Sequence, residues 1–231
     1  MKTYIERGVH FGDTHSFRDL NLVLAPFDYT PAVPKTKFIE IPGGDGTIDA
    51  TEADGTIHYY DREFEFIFSV MPGDKLTFEE RQTVVARALN GKRFEIVLDK
   101  DPEYFWRGRV WIDEYASNKR LRQIVVVARV SPYKVRKQIT TIELQDAKGT
   151  LVSIRNDGSK TILPKISGAN AYLGILVYGE NRGVQIDISE TPIVCERMPL
   201  HPGDNLYSLT YTIKEPNDSK PLVISYQEED L

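Results

Sequence analysis

The groups in this chain that could do chemistry are two nearby histidines, one cysteine and one glycine-rich acidic loop. His10 and His15 flank "FGDT". Their spacing is not the i, i+4 pairing that sets two imidazoles on one helix face around zinc. In so polar a loop they are expected to be exposed. Cys195 is the single cysteine, so it forms no intrachain disulfide, and a reducing cytoplasm is the simplest setting for folding. It carries no local nucleophile signature, and a lone cysteine in a strand reads as core. The sequence has no G-x-S-x-G elbow and no G-x-G-x-x-G turn. No catalytic, cofactor-binding or metal-ligating set is expected from it.

The loop "PGGDGTIDATE", residues 42–52, packs three glycines and three acidic groups together. A phosphate-binding loop needs Lys-Ser or Lys-Thr at the head of a helix. Here a strand follows instead. Asp45, Thr47 and Asp49 have the one-three-five spacing of a calcium loop. However, Ala50 stands at the glycine position and Thr56 at the bidentate glutamate position. The expected role is a turn. Its glycines supply positive φ, and its Asp and Thr side chains bond nearby backbone N–H groups.

The elements around these groups are mostly strands. In "YYDREFEFIFSV", Tyr60, Phe64, Phe66, Phe68 and Val70 alternate with Asp61, Glu63, Glu65 and Ser69, which predicts one apolar and one wet face. Phe94, Ile96 and Leu98 share a face of the next strand. "DKDP" turns into the return strand "YFWRGRVWIDEYA", and after "SNK" comes "LRQIVVVARV", buried on both faces for part of its length. One helix interrupts the strands. It opens with Thr77 and Glu80 at capping-box spacing, closes at Asn90-Gly91, and sets Phe78, Val85 and Leu89 on one side.

After "SPYK" the polar "KVRKQ" reads as a connector. Short strands then follow at turn-punctuated spacing: "ITTIELQ", "TLVSIRN", "AYLGILVYG", "GVQIDIS" and "YSLTYTIK". The fold class is therefore mainly β. Residues 1–135 form a β-sandwich-like domain with one short helix, and residues 136–231 form a second β-sandwich. Residues 25–36, with three prolines, read as an exposed arm or long loop.

Composition excludes several function classes. Net charge is −5 with both signs mixed along the chain, which argues against a nucleic-acid or anionic-membrane binder. No apolar run has signal-peptide or membrane-span length.

Four stretches in register resemble the distal tail protein (Dit) family of long-tailed siphophages and prophages of Gram-positive hosts. They are "GVHFGDTHSFRDLNLVL", then "IPGGDGTIDAT" with "DREFEF", then "LNGK" with "FEIVLDKDPEYFWRGRV", and "SPYK". The second half, with "SIRNDGSKTILPKI" and "LHPGDNLYSLTY", is similar to the galectin-like or carbohydrate-module-like sandwich of these proteins. The resemblance implies a structural, non-enzymatic virion protein at the tail tip, or baseplate, synthesised in the host cytoplasm. It implies a homohexameric ring of the N-terminal domains with a channel for DNA. The ring would join the major tail (tube) protein to the tail-associated lysin or hub protein, with receptor-binding baseplate proteins as further partners. No cofactor, no membrane and no specific nucleic-acid site is implied.

Three sets of residues carry these expectations. Arg62 lies on the apolar face of its strand, where a bare cation is costly, so it needs an acidic or carbonyl partner. Asp49 or Asp45 in the preceding loop is the nearest supply, and Pro42, Gly43, Gly46, Asp49 and Arg62 together form the expected loop tether. Phe27, Tyr29, Gly44 and Asp45 are the expected subunit-interface residues. Tyr172, Tyr178, Tyr207 and Tyr211 either fill sheet faces or stack on a sugar. The second outcome would make the chain a carbohydrate-binding host-adhesion module acting through its C-terminal sandwich. A baseplate-associated hydrolase is a third class, one that requires turnover on cell-wall glycans.

Overall fold

A computed structural model describes residues 8–145, 147–179, 182–214 and 220–231. The chain divides into two compact units, Met1–Lys134 and Val135–Leu231.

In the first unit the strands are β1 (Val9–Phe11), β2 (Thr14–His15), β3 (Leu22–Leu24), β4 (Phe38–Glu40), β5 (Thr47–Asp49), β6 (Arg62–Val70), β7 (Arg93–Leu98), β8 (Asp101–Asn118) and β9 (Gln123–Val130). Seven of these strands form one antiparallel path, β2-β1-β7-β8-β9-β6-β3. Helix α1 (Phe78–Leu89) lies between β6 and β7 in the chain.

β6 follows the period-two rule. Arg62, Phe64, Phe66, Phe68 and Val70 are buried, while Glu63, Glu65 and Ile67 face out. Tyr60 departs from the expectation. It precedes β6 and is 54% exposed, because residues 59 and 60 pair instead with residues 33 and 34.

The sheet curls over its own aromatics. β1 and β6 are four positions apart, a separation of roughly 19 Å in a flat sheet. Yet the Phe11 ring of β1 meets the Phe66 ring of β6 at 5.9 Å and the Phe68 ring at 6.4 Å. Trp106, Phe11, Phe64, Phe66 and Phe68 are all fully buried in this core.

α1 has the expected capping box. Glu80 N donates to Thr77 Oγ1 at 3.3 Å, and Thr77 N donates to Glu80 Oε2 at 2.8 Å. Gly91, at φ +73°, follows its C-cap Asn90. Phe78, Val85 and Leu89 are buried, and so is Arg81, which the periodicity alone does not flag.

β10 (Lys134–Arg136) starts at the last residue of the first unit, and the strands of the second are β11 (Thr140–Leu144), β12 (Lys148–Asn156), β13 (Lys165–Ser167), β14 (Ala171–Val177), β15 (Val184–Ile188), β16 (Ile193–Val194), β17 (Gly203–Ile213), β18 (Leu222–Tyr226) and β19 (Glu229–Asp230). Two four-stranded antiparallel sheets, β11-β18-β13-β16 and β12-β17-β14-β15, enclose Ile154, Ile166, Leu173, Leu209, Leu222 and Ile224. No helix among the described residues is long and apolar enough to cross a membrane.

Candidate assembly surface

The segment from residue 26 to residue 60 builds a projecting ribbon. At its tip β4 and β5 pair antiparallel, Phe38 with Asp49, Ile39 with Ile48 and Glu40 with Thr47. Lower down, Ala50 N donates to Lys37 O at 2.8 Å, Lys35 N to His58 O at 2.7 Å, and Tyr60 N to Val33 O at 2.9 Å. The proline-rich arm is thus one side of a hairpin. The glycine loop is its turn, with Gly43 at φ +73° and Gly46 at φ +78°. Asp49 accepts from Thr51 N at 2.9 Å, and its bonds to Thr51 hold its carboxyl below the usual range. This carboxylate serves the backbone, not a cation.

The ribbon exposes a set of large apolar side chains among its charged ones. Val33, Phe38, Ile39, Ile41, Ile48 and Ile57 are all exposed, Phe38 at 58% and Ile48 at 56%. β4 and β5 are exposed at every position. A lone two-stranded ribbon is marginal in water, and contiguous exposed apolar surface marks an interaction site.

The root of the ribbon is fixed. Phe27 packs on Phe66 at 4.8 Å and on Phe64 at 5.5 Å. Tyr29 packs on Trp106 at 5.0 Å, and burial, followed by the charge of Asp101, pushes its phenol up to about 12. Lys100 Nζ lies 4.2 Å over the Tyr29 ring and donates to Phe27 O at 2.6 Å. Phe27 and Tyr29, expected at a subunit interface, are half-buried, and their rings pack on the chain's own core. Gly44 and Asp45 do lie in the exposed turn.

The expected tether is also corrected. Arg62 is buried, as its position on the strand requires. Its partners are main-chain carbonyls, Thr30 O at 2.7 Å from Nε and Pro132 O at 3.1 Å from Nη1. Asp49 sits at the far end of the ribbon on its own Thr51. Carbonyl oxygens therefore take the place of water around this guanidinium, and burial lowers its pKa.

The histidines are not loop decoration either. Among the described residues, His10, His15 and Asp99 form the one cluster of three metal-capable groups. His15 is buried, with Nε2 3.1 Å from Asp99 Oδ2, and the two imidazoles meet edge-on at 4.4 Å. The hydrogen bonds decide what this cluster can do. His15 Nδ1 accepts from Phe17 N and Arg18 N, each at 3.1 Å, so it carries no proton. The ring hydrogen is then on Nε2 and donates to Asp99. No lone pair remains there for a metal, and the Arg18 guanidinium stands 3.4 Å from His10 Nε2. Gly8 closes the site, since a Cβ there would lie 2.4 Å from Asp99 Oδ2. The pair pins β1 and β2 to the end of β7.

Cys195 is buried, and burial pushes its thiol up, away from a nucleophilic thiolate. Of the four tyrosines, Tyr207 and Tyr211 are core residues that fill a sheet face. Tyr211 Oη accepts from Ala169 N at 2.7 Å and donates to Lys220 O at 3.0 Å, and Tyr207 Oη donates to Pro199 O at 2.5 Å. Tyr172 and Tyr178 are exposed.

No family model and no curated protein matches this sequence. Among solved structures, the chain is similar to the SPP1 Dit (gp 19.1) protein, described as a paradigm of the hub adsorption apparatus in phages infecting Gram-positive hosts. The match has a TM-score of 0.67 at 14% identity and covers 97% of this chain and 99% of that one. The fold of this chain, mainly β with one short helix, is a Dit-like fold.

Proposed function

We propose that this chain is a structural component of a phage tail tip, built into a closed ring of six copies. Residues 1–135 supply the ring and its channel for DNA, and residues 136–231 form a separate sandwich. The tail-tube protein and a tail-associated hub protein are its neighbours on the two faces of the ring. Receptor-binding baseplate proteins are further partners. No reaction is assigned to it.

The observation that carries this reading is the set of exposed apolar side chains on the ribbon at residues 33–57, rooted by Arg62 and left uncovered by the described residues. A surface of this kind is unfavourable on a lone monomer and natural on a subunit that lays it against the next copy. A head-to-tail contact closes into a ring when its rotation fits. The nearly full-length likeness in fold to a protein named for a hub apparatus supports the same reading.

The test is the double variant Ile39→Glu with Ile48→Glu in the full chain. These residues pair with each other and are both exposed, so the monomer should keep its melting temperature. Self-association should be lost, because two buried charges would face the neighbouring copy. Association equal to that of the parent chain would defeat the proposal.

A further inference from the structure

Charge is unevenly placed in the first unit. Residues 38–56 of the ribbon carry Glu40, Asp45, Asp49, Glu52 and Asp54 and no lysine or arginine. All five acids are exposed. Their formal charge is −5, which is also the net charge of the whole chain. An exposed apolar surface fringed by one sign of charge fits a partner that is both apolar and basic.

A basic cluster gathers where α1 ends and β7 begins. Arg93 of β7 lies directly opposite Arg109 of β8. Lys92 Nζ donates to Arg87 O at 2.7 Å and to Ala88 O at 2.9 Å, and Arg109 Nη1 donates to Gly91 O. All four basic residues are exposed. The neighbouring Arg107 and Arg129 pair with Glu95 and Asp61, at 3.2 and 3.1 Å. Among the described residues, Arg87, Lys92, Arg93 and Arg109 form no ion pair. Lys92 and Arg109 have a local use, since cations complement the carbonyl end of a helix. The side chains of Arg87 and Arg93 have no such bond among the described residues. Like charges directly opposite each other in a sheet are destabilising, so Arg93 beside Arg109 is a cost to the lone chain. Trp111 lies two residues past Arg109, on the same face of β8, and is half-buried. It gives the cluster an apolar neighbour.

We infer that the ribbon of one copy seats its acidic tip on the Arg87–Lys92–Arg93–Arg109 cluster of the next copy. The inference rests on the ring reading and names the surface that receives the ribbon. A head-to-tail contact needs two different patches on every subunit. This chain carries both, each with unanswered charge, and the two form no ion pair with each other within one copy. Ile39, Ile41 and Ile48 supply the apolar part of the ribbon, and Trp111 that of the receiving surface. The charges fix the register and speed the encounter. A nucleic acid would engage the arginines alone and leave the ribbon's carboxylates unanswered.

The experiment is sedimentation velocity of the full chain over a concentration series, with two charge-reversed variants. Arg87→Glu with Arg93→Glu reverses the receiving cluster. Asp45→Lys with Glu52→Lys reverses the ribbon. These four side chains are exposed and make no hydrogen bond or ion pair among the described residues, so the melting temperature should hold. Each variant alone should associate at least about tenfold more weakly than the parent. An equimolar mixture of the two should associate like the parent, because alternating copies then join opposite charges at every contact. Net repulsion does not mimic this, since the lysine variant is nearer neutral than the parent. Raising salt from about 0.05 M to about 0.5 M should weaken the parent's association. Should the glutamate pair lower the melting temperature, Arg87→Gln with Arg93→Gln replaces it, with a smaller loss of association expected. Association of either reversed variant equal to the parent's overturns the inference, and so does a mixture no better than its parts. Duplex DNA held by the parent and lost by the arginine variant, with association unchanged, assigns the cluster to nucleic acid and also overturns it. The ring reading is judged separately. It fails, and this inference with it, if the parent chain never associates. It stands if Ile39→Glu with Ile48→Glu abolishes association while the charge reversals are silent, and then this inference alone fails.

Discussion

Arg62 Nε donates to the carbonyl oxygen of Thr30 at 2.7 Å, joining a core strand to a segment 32 residues earlier in the chain. A second donation, Nη1 to Pro132 O at 3.1 Å, makes the guanidinium a clamp on two loops at once. Arg62→Ala removes two charge-assisted bonds and leaves two carbonyls without their donor. The expected loss is about 3 kcal/mol in urea denaturation. Arg62→Lys should recover less than half, because an ammonium lacks the fork that reaches both oxygens. A loss within about 0.5 kcal/mol, as for a surface change, would show that the clamp is idle.

Asp74 and Arg81 form a bidentate pair at 2.6 and 2.7 Å, with side chains only 2% and 7% exposed. The Arg81 hydrogen bonds hold the Asp74 carboxyl below its usual range. A depressed carboxyl favours the fold above the unfolded-state value, near pH 4, and the contribution disappears as pH falls through that value and below. Asp74→Asn should cost about 3 kcal/mol at pH 7. The gap to the parent chain should shrink steadily below about pH 5. A gap independent of pH between 7 and 2.5 would contradict the pairing.

Much of this is legible in the sequence, and the partners that are not legible lie far away in the chain. The alternation in β6, the capping box of α1 and the turn at residues 42–46 are local, and local rules are enough for them. The partner of Arg62 is not local. Thr30 and Pro132 lie on opposite sides of it in the chain, and no spacing rule reaches that far. His15 and Asp99 are 84 residues apart, so local sequence shows only a histidine in a polar loop. β13, β16 and β18 are not among the expected strands, though Leu222, Ile224 and Tyr226 do alternate with outward residues. Tyr207 and Tyr211 carried a readable signal. Ser208, Thr210 and Thr212 alternate with them, and a polar set at even positions places the odd ones inside.

Gly108 is the glycine in β8 that space demands. A Cβ there would lie 2.4 Å from Arg129 O and 2.6 Å from Val130 Cγ1. Gly108→Ala must push β8 and β9 apart, and a loss of about 2–3 kcal/mol is expected in denaturation. Gly174→Ala, with 3.5 Å of room, is the matched control and should cost less than about 1 kcal/mol. Equal losses at the two positions would contradict the packing described.

The hydrogen bonds of His15 predict no tight metal site. Thermal melting should be unchanged by EDTA and should not rise with micromolar zinc, since Nδ1 is occupied by two backbone donors and Nε2 bears the hydrogen. His15→Ala should still destabilise, because it removes the bond to Asp99 and the acceptor of two backbone N–H groups. A midpoint that climbs with zinc concentration, and loses that response in His15→Ala, would reverse this reading.

The central claim is that copies of this chain close into a ring through the apolar ribbon. Multi-angle light scattering of the full chain, over a wide concentration range and with tail-tube protein added, tests it directly. Assembly is concentration-linked, so the closed form should grow at the expense of monomer as protein or tube is added. The account predicts one discrete species of six copies, abolished by Ile39→Glu with Ile48→Glu. A chain that stays monomeric at every concentration and with tube protein present, or one that grows without limit into open polymers, would contradict it.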